Sequence, residues 1–294
     1  MEIKAKEVLM FWVFAISIFV NMSLVKGDII LNNAITMIAY QHISEVEWIK
    51  YMLVPTFIFC AIATVGFKFT FNNILKNYVR KGDIQPEKFE SLSKEDKKHL
   101  ALILAVVVLW ATETIHGING TIIVIIGTLI MYGIKLLGKQ DIKSINIGLL
   151  IFLTAVFSIG AVMKESGIAT IIFSNLIVLF PKTFSLKYVV IMAVVSIILH
   201  MILGSNITTM SVIIPGLMSI SKGVANPTIT MFTIFVSICA HFVLPYQHGV
   251  ILIGEGSKYY TSKTTLKYAP VLTLLTILSI LFVYLKWWKL MGLT

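Results

Sequence analysis

The sequence is poor in charged residues. Only 13% of its 294 residues are Asp, Glu, Lys or Arg, against about 25% in an average soluble domain, whereas 57% are hydrophobic and the mean hydropathy is +0.92. A water-soluble core could not hide so much apolar surface. The composition therefore predicts a polytopic α-helical membrane protein, since several apolar runs reach the roughly 20 residues that a transmembrane helix needs.

Arginine, cysteine and acidic residues are also scarce. Arg80 is the only arginine and the lysines lie mostly between apolar runs, so the net charge of +10 indicates membrane topology and not nucleic-acid binding. Cys60 and Cys239 lie in apolar segments without CxxC or Cys/His spacing, which supports neither a disulfide framework nor a zinc site. No Ser/His/Asp arrangement, paired carboxylates or HExxH string is present among only 14 acidic residues, so neither an enzyme nor an organic cofactor is expected.

The first half of the sequence contains one broken apolar run and one helical hairpin. Residues 8–40 are interrupted by Lys26-Gly27-Asp28 and are interpreted as a discontinuous helix, because an unbroken helix would not carry these charges at mid-depth. A span over about 48–69 precedes the lysine-rich stretch 72–98. Residues 100–114 and 118–137 are predicted to form a hairpin that turns at His116-Gly117, and a further span is predicted over 145–163.

The second half contains short apolar arms around polar breaks. Residues 168–180 are too short to cross comfortably, and residues 187–203 and 210–220 flank the polar tip Gly204-Ser205-Asn206-Ile207-Thr208-Thr209, which suggests a re-entrant hairpin over about 187–220. Residues 228–253 are interrupted by Pro245-Tyr246-Gln247-His248-Gly249 and are interpreted as an unwound helix. Residues 266–285 form a closing span before Trp287-Trp288.

These breaks indicate a binding site. Irregular backbone at membrane depth is viable only where it is buried in protein or lines a wet cavity. Half-helix N-termini there favour an anion, and free carbonyl oxygens favour sodium. His200 and His241, each one turn before a break, are interpreted as hydrogen-bonded packing residues, and Glu113 and His116 as a satisfied pair near the membrane surface.

Several of these motifs together resemble the divalent anion:sodium symporters, which carry dicarboxylates, citrate or sulfate. Gly204 to Thr209, followed by Ile214-Pro215, resembles the second Ser-Asn-Thr hairpin tip of that family, with Ile207 where Thr is usual. Cys239 to Pro245 resembles the approach to the second unwound helix, although Tyr246 to Val250 departs from the family's usual segment. Two further stretches resemble family patterns: Trp110, Glu113, His116 and Gly117, and the Gly-rich stretch with Gly160, Lys164 and Gly167.

The resemblance implies an inverted-repeat secondary transporter fold with a re-entrant hairpin and unwound helices in each repeat. Residues 1–75 would match the last two helices of the first repeat, 76–98 a cytoplasmic loop, and 99–294 a complete second repeat. The first repeat is then incomplete, and no other Ser-Asn-Thr-like tip occurs in the sequence. A homodimer, or a second chain that supplies the missing first hairpin, is the partner that this implies, besides the lipid bilayer and a small anionic substrate.

The resemblance also assigns roles to the polar residues at the breaks. Ser205, Asn206, Thr208 and His248 are expected to bind the substrate, while Gly204, Asn206 and Gln247 are expected to bind sodium, the only cofactor implied. The predicted location is the cytoplasmic membrane, with the N-terminus and loop 76–98 inside and the C-terminus outside.

Two other functions stay open at this point. A non-transporting structural subunit of the same fold is favoured by Ile207 and by the divergent segment 246–251. A proton-coupled antiporter would be expected to carry a buried acid, and only Glu255 is available near the later breaks.

Overall fold

The computed structural model describes residues 4–28, 31–76, 93–143 and 173–293, together with positions 145, 147, 151, 154–155, 162, 165–167 and 171. In these residues the secondary structure is helical and no strand occurs. The helices fall into two compact units, one drawn from Met1–Tyr78 and Leu153–Thr294, the other from Val79–Phe152. The prediction of an all-α membrane protein is confirmed, because three helices of the described part are long and apolar enough to cross a membrane: Glu45–Lys76, Leu186–Leu203 and Ser262–Leu290.

The first unit contains most of the helical residues. Its helices are α1 (Ala5–Asn21), α2 (Leu31–Ile38), α3 (Glu45–Lys76), α8 (Leu186–Leu203), α9 (Asn206–Ile220), α10 (Pro227–Cys239), α11 (Gly249–Gly256), α12 (Ser262–Ser279) and α13 (Leu285–Leu290). A π-helical turn over Ile280–Tyr284 joins α12 to α13 without a break. The closing span is therefore longer at both ends than the predicted 266–285.

A second, smaller unit holds the predicted helical hairpin. It contains α4 (Lys94–Ala111), α5 (Glu113–His116), α6 (Gly120–Gly133) and α7 (Lys139–Lys143). The turn at His116-Gly117 is confirmed, since Gly117 ends α5 with a φ of 71°. At the start of α4, hydrogen bonds from the hydroxyl and the N–H of Ser93 hold the pKa of Asp96 below its usual range.

Two other predicted features lie largely or wholly outside the described residues. They are the span over 145–163 with the neighbouring Gly160 and Lys164, and most of the loop 76–98. The inverted-repeat topology and the re-entrant path of the hairpin stay predictions.

Aromatic side chains join α1, α3 and α12 into a scaffold. Trp12 stacks on Phe67 with ring centroids 4.4 Å apart, and Phe19 meets Phe59 edge-on at 5.0 Å. The hydroxyl of Tyr268 donates to the carbonyl of Ala63 across 2.6 Å. These contacts are buried, so the three helices form a packed frame beside the polar breaks.

The predicted break in the first helix is confirmed and is longer than expected. The helix ends at Asn21, and α2 begins at Leu31, whose N–H donates to the Asp28 carboxylate across 3.0 Å. Asn32 spans the break, because its Nδ2 donates to the carbonyls of Asn21 (2.8 Å) and Leu24 (2.7 Å). A Cβ at Gly27 would lie 2.4 Å from the Asn21 oxygen, so only glycine fits this turn.

Candidate functional site

The hairpin tip is a two-residue turn between α8 and α9. Gly204 has φ 83° and ψ −71°, and the N–H of Ser205 donates to the Leu203 carbonyl across 3.1 Å, which is the geometry of a classic γ-turn. The predicted six-residue tip is therefore shorter, because Asn206, Ile207, Thr208 and Thr209 already belong to α9. Ser205 stands at the N-cap but its side chain makes no capping hydrogen bond, so the first N–H groups of α9 keep donor capacity for a ligand.

Asn206 is the most informative residue at this tip. Its side chain is only 4% exposed, yet neither Nδ2 nor Oδ1 has a hydrogen-bond partner in the part of the chain that the structure describes. Thr209, one turn along the hairpin, is fully buried and its hydroxyl is also without a partner there. Ser205 and Thr208 are half-buried. A buried amide without partners costs free energy on the order of 1–3 kcal/mol, which a ligand at this position would recover.

The second break begins earlier than predicted, because α10 ends at Cys239 and the chain continues through a 3₁₀ turn at Pro245–Gln247. The side chain of Gln247 organises this break: its Oε1 accepts from the N–H groups of Val243 (2.6 Å) and Leu244 (2.7 Å). Oε1 of Gln247 is thus engaged, so the sodium role that the resemblance implies for Gln247 would require its main-chain carbonyl and stays a prediction. Its Nε2 has no partner among the described residues.

His248 ends the break as the N-cap of α11. Its Nδ1 accepts from the N–H of Val250 across 3.3 Å, so the neutral ring carries its proton on Nε2. This Nε2 is buried and has no partner among the residues with described positions. Nε2 of His248 can therefore act as the hydrogen-bond donor that the resemblance implies.

The hairpin tip and the second break lie against each other. The Tyr246 ring packs on Gly204 so closely that a Cβ there would be 3.1 Å from Cε2. Nε2 of His200, on α8, lies 3.4 Å from the Gln247 carbonyl oxygen, and the Asn206 side chain lies beside the same imidazole. The two polar segments that were singled out from the sequence are thus brought together.

Two histidines that the sequence predicts to be packing residues also lie where the hairpin tip meets the second break. The rings of His200 and His241 meet edge-on with centroids 5.8 Å apart, and both side chains are fully buried. In the described part of the chain, neither nitrogen of His241 has a hydrogen-bond partner, nor does Nδ1 of His200. The position of each one turn before a break was visible in the sequence, but their mutual contact depends on how the two segments fold together.

The first break completes the surroundings of His248. Asp28, Asn32, Cys239 and His248 line a common space of about 10 Å³, which is enough for a single water molecule. Lys26 lies beside Glu45. Asp28 thus borders the candidate site, whereas Lys26 belongs to another contact.

The candidate site, defined as His200, Gly204, Ser205, Asn206, Thr208, Thr209, His241, Gln247 and His248, contains neither lysine nor arginine. Its donors are neutral imidazole, amide and hydroxyl groups together with a helix N-terminus. The larger cavities lie elsewhere: one of about 690 Å³ opens between Tyr40, Met218 and Lys222, at the far end of α9. Beside His248 the described residues leave a space of only about 10 Å³, which is too small for an anion, so the candidate site is closed there in this conformation.

Glu113 and His116 show no metal-binding arrangement. Nε2 of His116 donates to the Leu109 carbonyl across 2.7 Å, and its Nδ1 accepts from the N–H of Ile118 across 3.0 Å. Among the described residues no group of three or more His, Cys, Asp or Glu side chains is arranged to hold a metal ion.

Comparison with known protein families gives a match over nearly the whole sequence. The family model described as the sodium:sulfate symporter transmembrane region matches residues 4–294. No curated protein matches the chain.

Proposed function

Because the chain belongs to the sodium:sulfate symporter family, we propose that it carries a divalent or carboxylate anion across the cytoplasmic membrane together with sodium. Family membership supports sodium-coupled anion transport by a multi-pass membrane protein in general. The finer assignment, a sulfate-like or dicarboxylate ion at the candidate site, is our proposal. In this proposal the anion is bound by Ser205, Asn206, Thr208 and His248, and sodium is bound by Gly204, Asn206 and Gln247.

The observation that carries the proposal is the set of buried polar atoms that have no hydrogen-bond partner among the described residues, where the hairpin tip meets the second break. Nδ2 of Asn206 and Nε2 of His248 are donors, and the uncapped start of α9 adds main-chain N–H groups. Hydrogen-bond donors at a helix N-terminus suit the oxygens of sulfate or carboxylate. His241, which the sequence predicted to be a packing residue, and Thr209, to which it assigned no binding role, extend the same set.

The described residues of the candidate site include no cationic side chain, which gives sodium a physical role. A divalent anion in a buried site that is bordered by the Asp28 carboxylate would leave its two charges uncompensated, which is costly in a low-dielectric interior. Sodium bound to the carbonyls of Gly204 and Gln247 and to Oδ1 of Asn206 would offset this charge. Anion binding is then expected to depend on sodium because each ion stabilises the other.

Transport requires the closed site to open. Tyr246 lies directly on Gly204, and the space beside His248 holds about one water molecule, so an anion enters only if the hairpin tip moves away from the second break. We propose a rigid-body movement of the hairpin against the scaffold of α1, α3 and α12, with sodium ordering the tip before the anion binds.

The sequence contains a single hairpin tip of this kind, and we propose that a second copy or another chain contributes the other. The alternative function is a non-transporting subunit of the same fold. Ile207 and the departures at Tyr246 to His248 favour that alternative, since they replace residues usual in the family.

The discriminating experiment is uptake into proteoliposomes that contain the purified chain. Labelled sulfate and labelled succinate are offered under an inward sodium gradient, with a potassium gradient as the control. Sodium-dependent accumulation of either anion supports the transporter. If a second membrane chain copurifies with this one from membranes, the pair is tested in the same way. If neither the chain alone nor the pair accumulates an anion, the non-transporting subunit is favoured.

A further inference from the structure

A groove of about 340 Å³ lies on the first unit, where α8 begins and the α12–α13 helix ends. Its walls are apolar and come from Phe184 and Leu186 on one side and Leu281 and Phe282 on the other. Leu186 is 58% exposed and Phe282 is 55% exposed, so the groove is open along its length. It lies outside the candidate site and is independent of the proposed transport function.

The π-helical turn shapes one wall of this groove. Leu281 and Phe282 belong to the turn over Ile280–Tyr284, where one helical turn is wider than in an α-helix. The turn packs against α8. A π-helical turn in an otherwise regular helix is often found at functional positions.

Two lysines stand at the end of the groove. Lys286 and Lys289 both line it, and residues three apart lie on one face of a helix. The Lys286 ammonium lies 5.8 Å from the Phe282 ring centroid, which holds the charge over the apolar wall.

Carboxylates are scarce around these lysines. After Glu165 the only acidic residue is Glu255, and its carboxylate accepts a hydrogen bond from Ser262, about 36 Å along the helix from Lys286. At the start of α3, Glu45 lies beside Lys26, and Glu47 lies near Lys50 and is engaged by the hydroxyl and N–H of Ser44. The end of the groove is therefore electropositive.

Two tryptophans of α13, next to Lys286 in the sequence, indicate the depth of the groove in the membrane. Nε1 of Trp287 donates to the Lys50 carbonyl across 2.8 Å, and Nε1 of Trp288 donates to the Tyr51 carbonyl across 3.1 Å. Tryptophan, tyrosine and lysine are enriched where a membrane protein meets the headgroup region. An apolar groove that ends in two lysines at this level matches both parts of a lipid.

We propose that this groove binds an anionic phospholipid, whose phosphate lies at Lys286 and Lys289 and whose acyl chain lies along Phe184, Leu281 and Phe282. Basic pockets between membrane helices recognise anionic headgroups by the same combination of charge and apolar contact. The apolar walls favour a lipid over a free phosphate, because a phosphate alone leaves them uncovered.

The test is native mass spectrometry of the full chain in mild detergent with an equimolar mixture of phosphatidylglycerol and phosphatidylcholine of matched acyl chains. The wild-type chain is expected to retain phosphatidylglycerol preferentially. K286Q/K289Q should weaken this preference about 25-fold, since each lysine near a membrane surface contributes roughly fivefold. The matched control is K263Q/K267Q, which removes the same charge from the other end of the helix, where Lys267 lies 5.3 Å from the Phe71 ring.

Three results would overturn the proposal. The wild-type chain would retain both lipids equally, both double variants would lose the preference to the same extent, or glycerol phosphate without acyl chains would displace the lipid at equal concentration. The first and third results need no variant, so the proposal stays testable even if K286Q/K289Q folds poorly.

Discussion

The Tyr246 ring lies on the backbone of Gly204, so closely that a Cβ at position 204 would be 3.1 Å from Cε2 and 3.2 Å from Cδ2. This contact joins the tip of the hairpin to the second break, which are 42 residues apart in the sequence. The γ-turn at Gly204 and the exposed ring of Tyr246 therefore define how the candidate site is closed.

We expect Gly204→Ala to affect both stability and binding. The positive φ costs about 1–2 kcal/mol for a residue with a Cβ, and the Tyr246 ring must also shift. Gly223→Ala is the matched control, because Gly223 also has a positive φ, 76°, but no atom lies within 4 Å of its added Cβ. Both variants should have a lower unfolding temperature, and the decrease should be larger for Gly204→Ala. Only Gly204→Ala should also bind sulfate more weakly. Equal unfolding temperatures and equal sulfate affinities in the two variants would contradict the role of the contact.

Asn206→Ala should separate binding from stability. The Asn206 amide has no partner among the described residues, so its removal should leave the unfolding temperature unchanged or higher, while sodium-dependent anion binding is abolished. Asn226→Ala is the opposite case, because Oδ1 of Asn226 accepts from the N–H of Thr228 across 2.9 Å as the N-cap of α10. That variant should lose about 1 kcal/mol of stability and keep binding. Unchanged binding in Asn206→Ala would exclude the assignment.

A second pair of variants tests the buried histidines. His241→Phe removes two ring nitrogens that have no partner in the described structure, so the free energy of unfolding should not fall, whereas anion binding should weaken. His116→Phe removes hydrogen bonds to Leu109 and Ile118, and should lose about 1–2 kcal/mol with binding retained. Denaturation and sulfate titration of both variants check this; if His241→Phe destabilises the chain and binds normally, His241 is a packing residue.

The start of the second break depends on one hydrogen bond from the scaffold. The Thr276 hydroxyl donates to the Ala240 carbonyl across 2.9 Å, and both residues are buried. Thr276→Val should cost about 1–3 kcal/mol, because it leaves that carbonyl without this donor. In the control Thr273→Val, the lost hydroxyl bonds only to Ala269 in its own helix, so the loss should be under about 0.5 kcal/mol. Similar losses in both variants would mean that the break is held by other contacts.

Much of the architecture was predictable because apolar length and polar interruptions are local properties of the sequence. Such patterns predict the arms 187–203 and 210–220, the turn at His116-Gly117 and a break at Lys26-Gly27-Asp28, although the break already begins after Asn21. The extent of α9 was predicted less well. The sequence predicts a polar tip over Gly204 to Thr209 because most of these residues are polar. Small polar residues are also favoured at a helix start, and α9 begins at Asn206 with Ser205 as N-cap.

The composition of the candidate site was only partly predictable. Ser205, Asn206 and His248 could be named because they interrupt apolar runs. Two of its features depend on contacts between distant segments: the edge-on contact of His200 with His241, and the space that Asp28 shares with His248. Such contacts leave no periodic signal in one sequence.

The most direct test of the account is the affinity of the purified wild-type chain for labelled sulfate at increasing sodium, with ionic strength held constant by potassium. If sodium occupies the carbonyls of Gly204 and Gln247 beside the anion, sulfate affinity rises with sodium concentration, and sulfate raises the affinity for sodium by the same factor. Sulfate binding that is equally strong in potassium alone would contradict the central claim that sodium compensates the anion charge in a site without cationic side chains.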